Sequence, residues 1–250
     1  MLKDLYSSKR ITIMQAELNR IIGDHECYVT KQSGVRAVLR SALLDGLVLA
    51  NRNLAEADLS GASLIGANLH GTNFSGASLY CADLRDCDLR NARLERADLR
   101  GASSKGANLA YAILDYADIR AASMMYVGDT VSIQGNAQDD SPFGAVNFSN
   151  SSLRNASFGN AKLDNVNFTN ALMPGVIFRG AKLTNACFDG AVLIDVNLAD
   201  LNVPPETLKN CLTSPSQAAK ERTTRGSHRA ASKERSRLST GKIYAPSAIS

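Results

Sequence analysis

The sequence has no tryptophan and few other aromatic residues, although it runs to 250 residues. That length is sufficient to bury a hydrophobic core. Histidine is also scarce: His25, His70 and His228 lie far apart and form no cluster along the chain. We therefore expect each histidine to be a surface residue rather than a metal ligand or a catalytic base.

Cysteine is present in a pattern that argues against a metal or disulfide framework. The five cysteines are an odd number and include no C-x-x-C pair, so small thiols in a reducing compartment are the better interpretation. The sequence also lacks a Walker loop, a pair of catalytic carboxylates and a Cys/His dyad. We expect a protein that is not an enzyme and uses no metal and no cofactor.

Long apolar runs are missing as well. No eighteen consecutive apolar residues occur, which predicts no transmembrane helix and no membrane partner. The first twenty residues contain no apolar run of the length that a secretory signal needs. The sequence therefore predicts a cytoplasmic protein.

What the sequence does contain is a repeat of five residues. Large apolar residues recur at every fifth position from Leu39 to Met124, and again from Phe148 to Val203. A small residue, usually alanine, stands two positions before most of these centres. A period of five fits neither an α-helix nor a flat strand. It indicates a chain that turns a corner every five residues, with the centre and its small partner inward and three positions outward.

These units resemble the A-(D/N)-L-x-x motif of the pentapeptide-repeat family. The clearest matches are ADLSG, ANLHG, ADLRG and AKLTN, and the resemblance covers residues 37–203. It implies an all-β fold, a right-handed quadrilateral β-helix with four repeats, or twenty residues, per coil. Strands stacked at about 4.8 Å would give a rod of about 36 Å.

The second repeat block carries its own sign of a four-sided coil, because phenylalanine and smaller centres nearly alternate along it. Four sides per coil place the rings in two opposite columns, which lets large and small residues interdigitate in a narrow core. The two columns are Phe148, Phe168 and Phe188, and Phe158 and Phe178.

Ser104 stands where the repeat predicts a leucine, in the stretch GASSKGANL. Losing a buried leucine costs on the order of 2–5 kcal/mol unless the site collapses or holds water. We expect a local packing defect there and not a catalytic nucleophile, because no histidine or acid stands at a plausible triad position.

The ends of a solenoid need caps, because they expose unpaired strand edges and core. Apolar residues at 11, 14, 18, 21 and 22 predict a helix within residues 10–22, and Pro205 predicts the start of a second short helix. The predicted organisation is an N-terminal helical cap 1–36, a first block 37–126, an interrupting loop 127–144, a second block 145–203, a C-terminal helical cap 204–216 and a disordered basic tail 217–250.

Two regions are candidates for contact with a partner. Stretch 81–100 holds five arginines and five acids, which either form a contact surface or neutralise each other. Stacking at twenty residues places Tyr80, Arg100 and Arg120 in one column and Arg85 over Lys105. The interrupting loop carries three acids and no base, and it is either functional or a tolerated insertion. The candidate residues are Tyr80, Arg85, Arg100, Lys105, Arg120, Asp129, Asp139 and Asp140.

The resemblance leaves several functions open, because one fold hosts many. Some family members bind DNA gyrase or topoisomerase by resembling DNA, and a 36 Å length of B-DNA carries roughly twenty charges. Residues 37–203 contain seventeen acids and thirteen bases, a net charge of only −4. The sequence therefore favours a non-catalytic protein-interaction scaffold. A type II topoisomerase inhibitor or quinolone-protection protein is the alternative. Nonspecific nucleic-acid contact through the tail and a homodimer also stay open.

Overall fold

The computed structural model describes residues 11–121 and 142–213. All of them except Thr213 belong to one compact unit, Met1–Leu212. The predicted basic tail and most of the predicted interrupting loop lie outside the described residues. Within these two ranges, the search for membrane spans found no helix of sufficient length and hydrophobicity.

A β-turn at every fifth residue folds the chain into square coils. In the first coil the amide of Ala42 donates to the carbonyl of Leu39 at 3.2 Å, and Ser41 between them has a φ of 55°. In a type II turn the third residue has a positive φ, and this conformation favours glycine and asparagine. These two residues fill most of the equivalent positions. The repeat therefore specifies corners rather than long strands.

Successive coils pair with each other at positions twenty residues apart. Isolated parallel bridges join Val38 to Asp58 and Asn53 to Asn73, for example. This register confirms the four-sided coil of a β-helix solenoid. We number the sides by the first residues of their ladders: side 1 begins at Val38, side 2 at Leu43, side 3 at Val48 and side 4 at Asn53.

The inward centres form one continuous hydrophobic core. In the second block the phenylalanine rings stack in the two predicted columns. Phe148 lies 5.4 Å from Phe168 and Phe158 lies 5.3 Å from Phe178, both between ring centroids. An edge-to-face contact of 5.8 Å between Phe148 and Phe158 joins the columns, a geometry that aromatic pairs favour.

The two repeat blocks stack as one β-helix despite the interruption. Asn108 pairs with Asn147, so the ladder here skips thirty-nine positions instead of twenty. The chain leaves side 1 after Ala121 and returns on side 2 at Pro142. The second block thus begins before the predicted boundary at residue 145, because Phe143 and Gly144 already hold repeat positions.

Ser104 and Phe143 are neighbours in the inward column of side 2. The amide of Ser104 donates to the carbonyl of Pro142 at 2.7 Å, and this bond sets the register of the two coils. Ser104 and Phe143 are 3% and 2% exposed. The predicted packing defect at Ser104 stays a prediction. The sequence concealed its neighbour in the next coil, because Phe143 read as part of the loop.

Helix α1, Gln15–Val29, lies over the open end of the first coil. It begins later than the predicted range 10–22, because Thr12 pairs with Leu43 as a strand. Side chains of α1 satisfy the backbone edges of the other three sides, where unpaired groups would otherwise remain. Their hydrogen bonds join Gln15 to Val48, His25 to Ala37 and Glu26 to Asn53.

Short segments lie at the other end. Strand β1, Val192–Leu193, pairs with strand β2, Leu212–Thr213, on side 4. Two 3-10 helices, Leu198–Asp200 and Pro205–Leu208, stand between them. The helix predicted from Pro205 is thus a single 3-10 turn, because the chain must return to pair Leu212 with Ala191 (2.9 Å).

Candidate functional site

A motif of aspartate, leucine or isoleucine, and arginine pairs outward charges in the first block. Asp98 and Arg100 flank the inward Leu99, so both side chains emerge on one side of the coil. Two hydrogen bonds join them, Nε to Oδ1 at 2.8 Å and Nη2 to Oδ2 at 2.7 Å. The same geometry joins Asp83 to Arg85, Asp88 to Arg90 and Asp118 to Arg120.

Hydrogen bonding within these pairs favours the charged form of Asp88 and of Arg100. The hydrogen bond from Arg90 is the main cause that keeps the pKa of Asp88 below its ordinary value. The bond to Asp98 is likewise the main cause that raises the pKa of Arg100. Each pair therefore presents little net charge to a partner, and exposed pairs of this kind add only about 0–1 kcal/mol to stability.

The predicted column of Tyr80, Arg100 and Arg120 is present on side 1. The amide of Cys81 donates to the carbonyl of Arg100 at 2.9 Å, and that of Gly101 donates to Arg120 at 3.1 Å. The guanidinium carbon of Arg100 lies 5.5 Å from the centroid of the Tyr80 ring, within the range of a cation–π interaction. Arg100 is thus already engaged by an acid and by an aromatic ring.

Arg85 and Lys105 form the corresponding column on side 2. The amide of Asp86 donates to the carbonyl of Lys105 at 3.0 Å, and Arg85 is paired with Asp83. The structure therefore gathers the five predicted residues of the first block on two adjacent sides. Their contact with a partner stays a prediction.

The three acids of the interrupting loop, Asp129, Asp139 and Asp140, lie outside the described residues. The described chain ends at Ala121 on side 1 and resumes at Pro142 on side 2. Their proposed role in partner contact also stays a prediction.

Two exposed tyrosines on side 4 were absent from the sequence prediction. Tyr111 and Tyr116 are 60% and 59% exposed, and their φ values are 62° and 63°. Ile113, 37% exposed, lies between them. A left-handed backbone costs a bulky residue roughly 1–2 kcal/mol. Exposed aromatic side chains on strained backbone are typical of a functional site.

A signal for these tyrosines was present in the sequence. The units ANLAY and AILDY end in tyrosine at the corner position where most units end in glycine or asparagine. The repeat has no structural use for tyrosine at that corner.

Apolar residues continue along side 4 from the tyrosines to the C-terminal end. The bridge column runs from Ile113 through Ser152 to Leu172 and Val192, and β2 extends it to Leu212. Side 3 instead presents asparagine at the equivalent positions 108, 147 and 167. We define the side-4 strip as Tyr111, Ile113, Tyr116, Leu172, Pro174, Val192, Ile194 and Leu212.

Metal ligands and nucleophilic side chains are the remaining features of the described residues. A search of the two described ranges found no group of three or more His, Cys, Asp or Glu able to hold a metal ion. Burial raises the pKa of the Cys87 thiol to about 12, which opposes thiolate chemistry. Ser104 is buried in the core column.

The comparisons with known proteins agree on a family. The family model for pentapeptide repeats matches eight copies, over residues 53–91, 87–124, 143–180 and 161–200. The comparison with curated proteins gave no match.

Among solved structures, one similar protein is HetL, a pentapeptide repeat protein involved in heterocyst differentiation regulation from the cyanobacterium Nostoc sp. strain PCC 7120. It is 34% identical with a TM-score of 0.53, and the match covers 63% of this chain and 64% of HetL. The chain therefore spans less than two-thirds of HetL. QnrB1, a plasmid-mediated fluoroquinolone resistance protein, is 18% identical over 76% of this chain and 96% of its own, with a TM-score of 0.49. A thylakoid-lumen pentapeptide repeat protein from Arabidopsis thaliana is 28% identical over 49% of this chain and 69% of its own, with a TM-score of 0.32.

Proposed function

The chain belongs to the pentapeptide-repeat family, and from this premise we propose that it is a non-catalytic scaffold that binds another protein. The observation that carries the proposal is the exposed pair Tyr111 and Tyr116 on strained backbone. Tyrosine is enriched at the energetic centres of protein interfaces. A regular β-helix holds the backbone of both residues in place before binding, which lowers the entropy cost of association.

The pairing of outward charges also supports a scaffold over a DNA mimic. A mimic of B-DNA needs about one uncompensated negative charge per 1.7 Å of length. Asp83, Asp88, Asp98 and Asp118 each bond an arginine two residues away. These acids therefore cannot act as substitutes for phosphates. Binding to a type II topoisomerase remains the second candidate.

A photo-cross-linking experiment tests the scaffold proposal one side at a time. A photoreactive amino acid replaces one exposed residue on each side: Arg179 on side 1, Lys182 on side 2, Asn68 on side 3 and Tyr116 on side 4. We expect one side to cross-link a discrete protein in host extract while the other three do not. The purified partner should then bind the full chain stoichiometrically in a calorimetric titration.

The proposal is wrong if none of the four positions yields a discrete cross-linked protein, or if the captured protein fails to bind in purified form. A regulatory role such as the one stated for HetL is compatible with a scaffold of this kind.

A further inference from the structure

We infer that the side-4 strip is the docking site for an amphipathic α-helix of a partner protein. This inference rests on the proposed scaffold function and names the surface and the kind of partner. It follows from the dimensions, the area and the charge order of the strip.

The dimensions of the strip match a single helix. The column from Ile113 to Leu212 crosses four coil steps, about 19 Å at about 4.8 Å per step. One side of a coil holds about three extended residues, or roughly 10 Å. An α-helix is about 10–12 Å wide and rises about 1.5 Å per residue. The strip therefore accommodates roughly thirteen residues of helix along the axis of the coils.

The area of the strip argues against a second copy of this chain. A strip of those dimensions covers about 200 Å², whereas a stable dimer buries roughly 800 Å² per partner. A second copy would have to extend over the rest of side 4. There the strip gives way to polar and charged residues, including Asn53, Asn73 and Glu95. A single helix of about thirteen residues, in contrast, fits within the strip.

The two ends of the strip carry opposite charges. Arg96, whose amide donates to the carbonyl of Asp115, lies one coil before Tyr116 and is exposed. Asp195 follows Ile194 at the other end and is also exposed. No ion pair is found for either residue within the described ranges, whereas Asp115 and Arg154 between them are paired at 3.3 Å.

This charge order predicts the direction of the helix. The partner helix should carry acids facing Arg96 and bases facing Asp195. Acids near the N-terminus and bases near the C-terminus also favour a helix through its dipole. The N-terminal end of the partner helix therefore lies over Arg96, and its apolar stripe lies on Tyr111, Ile113 and Tyr116.

Synthetic helical peptides of about sixteen residues provide the test. The first has a leucine stripe, acids in its first turn and bases in its last turn. The second reverses the charges, and the third replaces the stripe with glutamine. Binding to the full chain is followed by fluorescence anisotropy. We expect the first peptide to bind at least about tenfold more tightly than the third and several-fold more tightly than the second.

Matched variants locate the binding. Tyr111→Asn combined with Tyr116→Asn should weaken the first peptide by about tenfold or more, since asparagine suits the left-handed backbone and preserves the fold. Ile177→Asn removes another exposed apolar side chain, 52% exposed on side 1. This control should leave peptide binding unchanged.

Several outcomes would overturn the inference. One is equal binding of the striped and stripeless peptides, and another is equal weakening by the side-1 control. Self-association of the chain that the tyrosine variant abolishes would assign the strip to a second copy. Peptide binding that appears only after removal of residues 214–250 would assign it to this chain's own tail. A partner cross-linked from another side would reject the helix site while leaving the scaffold function intact.

Discussion

The side-chain oxygen Oδ1 of Asn51 occupies the space that a Cβ atom on Gly71 would need. The two residues lie at the same corner of successive coils, and both have left-handed φ values, 59° and 64°. Alanine at 71 would therefore displace the Asn51 side chain, in addition to the cost of the left-handed conformation. The same relationship recurs in three further pairs: Asn155 with Gly175, Asn160 with Gly180, and Asn170 with Gly190.

Gly71→Ala should destabilise the protein more than Gly46→Ala. Both glycines have nearly the same φ, 64° and 67°, but a Cβ at Gly46 meets nothing within 4 Å. Conformation costs each variant on the order of 1 kcal/mol, and moving the Asn51 side chain aside adds a smaller cost at 71. Urea unfolding measures the difference. Adding Asn51→Gly to the Gly71→Ala variant should reduce this difference in the free energy of unfolding. Equal destabilisation by Gly71→Ala and Gly46→Ala would contradict the stacking argument.

Gly34→Ala should release helix α1 from the first coil, whereas Gly23→Ala should stabilise the protein. A Cβ at Gly34 would collide with the backbone of Asp24 and Tyr28 in α1, while a Cβ at Gly23 meets nothing within 4 Å. Replacing a mid-helix glycine by alanine gains about 0.5–1 kcal/mol. Opposite shifts of the urea midpoint are expected. A neutral Gly34→Ala would show that α1 does not pack against the coil as described.

The repeat made most of the fold predictable, because each five-residue unit encodes its own corner and its own inward pair. The columns of Phe148 and Phe158 followed from arithmetic on that period. The position of Ser104 next to Phe143 did not follow from the period. It depends on where the chain re-enters the coil after the interruption. A spacing of thirty-nine residues is invisible until the backbone register is known.

The candidate site was less predictable than the fold, because the net charge of a sequence does not show which acids and bases form pairs. Arg85 and Arg100 read as candidate contacts, yet the alternation of inward and outward positions brings each beside an acid two residues earlier. Only the preference of left-handed corners for glycine and asparagine distinguishes Tyr111 and Tyr116 in the sequence. The five-residue repeat predicts the fold. The corners at Tyr111 and Tyr116, which depart from the usual glycine or asparagine, mark the candidate surface.

Replacing Tyr111 and Tyr116 together with asparagine should stabilise the protein. Both tyrosines are exposed and left-handed, so their removal relieves strain while removing little buried contact. We expect a gain of roughly 1 kcal/mol per site at most, measured by urea unfolding. Lower stability in the variant would mean that the rings support the fold, which would weaken the case for a binding role.

His25 should make stability fall as the pH drops below about 6.5. The side chain is 0% exposed, so the prediction that His25 lies on the surface is wrong. Its Nδ1 accepts a hydrogen bond from the amide of Ala37 at 3.0 Å. Burial is the main cause that lowers its pKa, with Arg36 adding to the effect and Glu26 and Glu56 opposing it. The unfolded chain therefore takes up a proton at higher pH than the folded chain does. The contribution is fully present above the unfolded pKa and is lost as the pH falls toward the folded pKa.

Urea midpoints at about pH 7.5 and about pH 5.5 measure this effect. The wild type should lose more stability between the two than His25→Gln, whose side chain does not titrate. Parallel losses in the two proteins would assign the pH dependence to other groups.

The wild-type chain should neither inhibit gyrase supercoiling nor protect the enzyme from a fluoroquinolone at stoichiometric excess. DNA mimicry needs exposed, uncompensated acids, and arginines two residues away neutralise Asp83, Asp88, Asp98 and Asp118 on sides 1 to 3. A variant with Arg85, Arg90, Arg100 and Arg120 changed to glutamine removes four positive charges and leaves the acids in place. If the shape of the β-helix suits the DNA-binding groove of the enzyme, this variant should inhibit where the wild type does not. Inhibition by the wild type itself would show that charge pairing does not prevent topoisomerase binding, and it would move the second candidate function ahead of the scaffold.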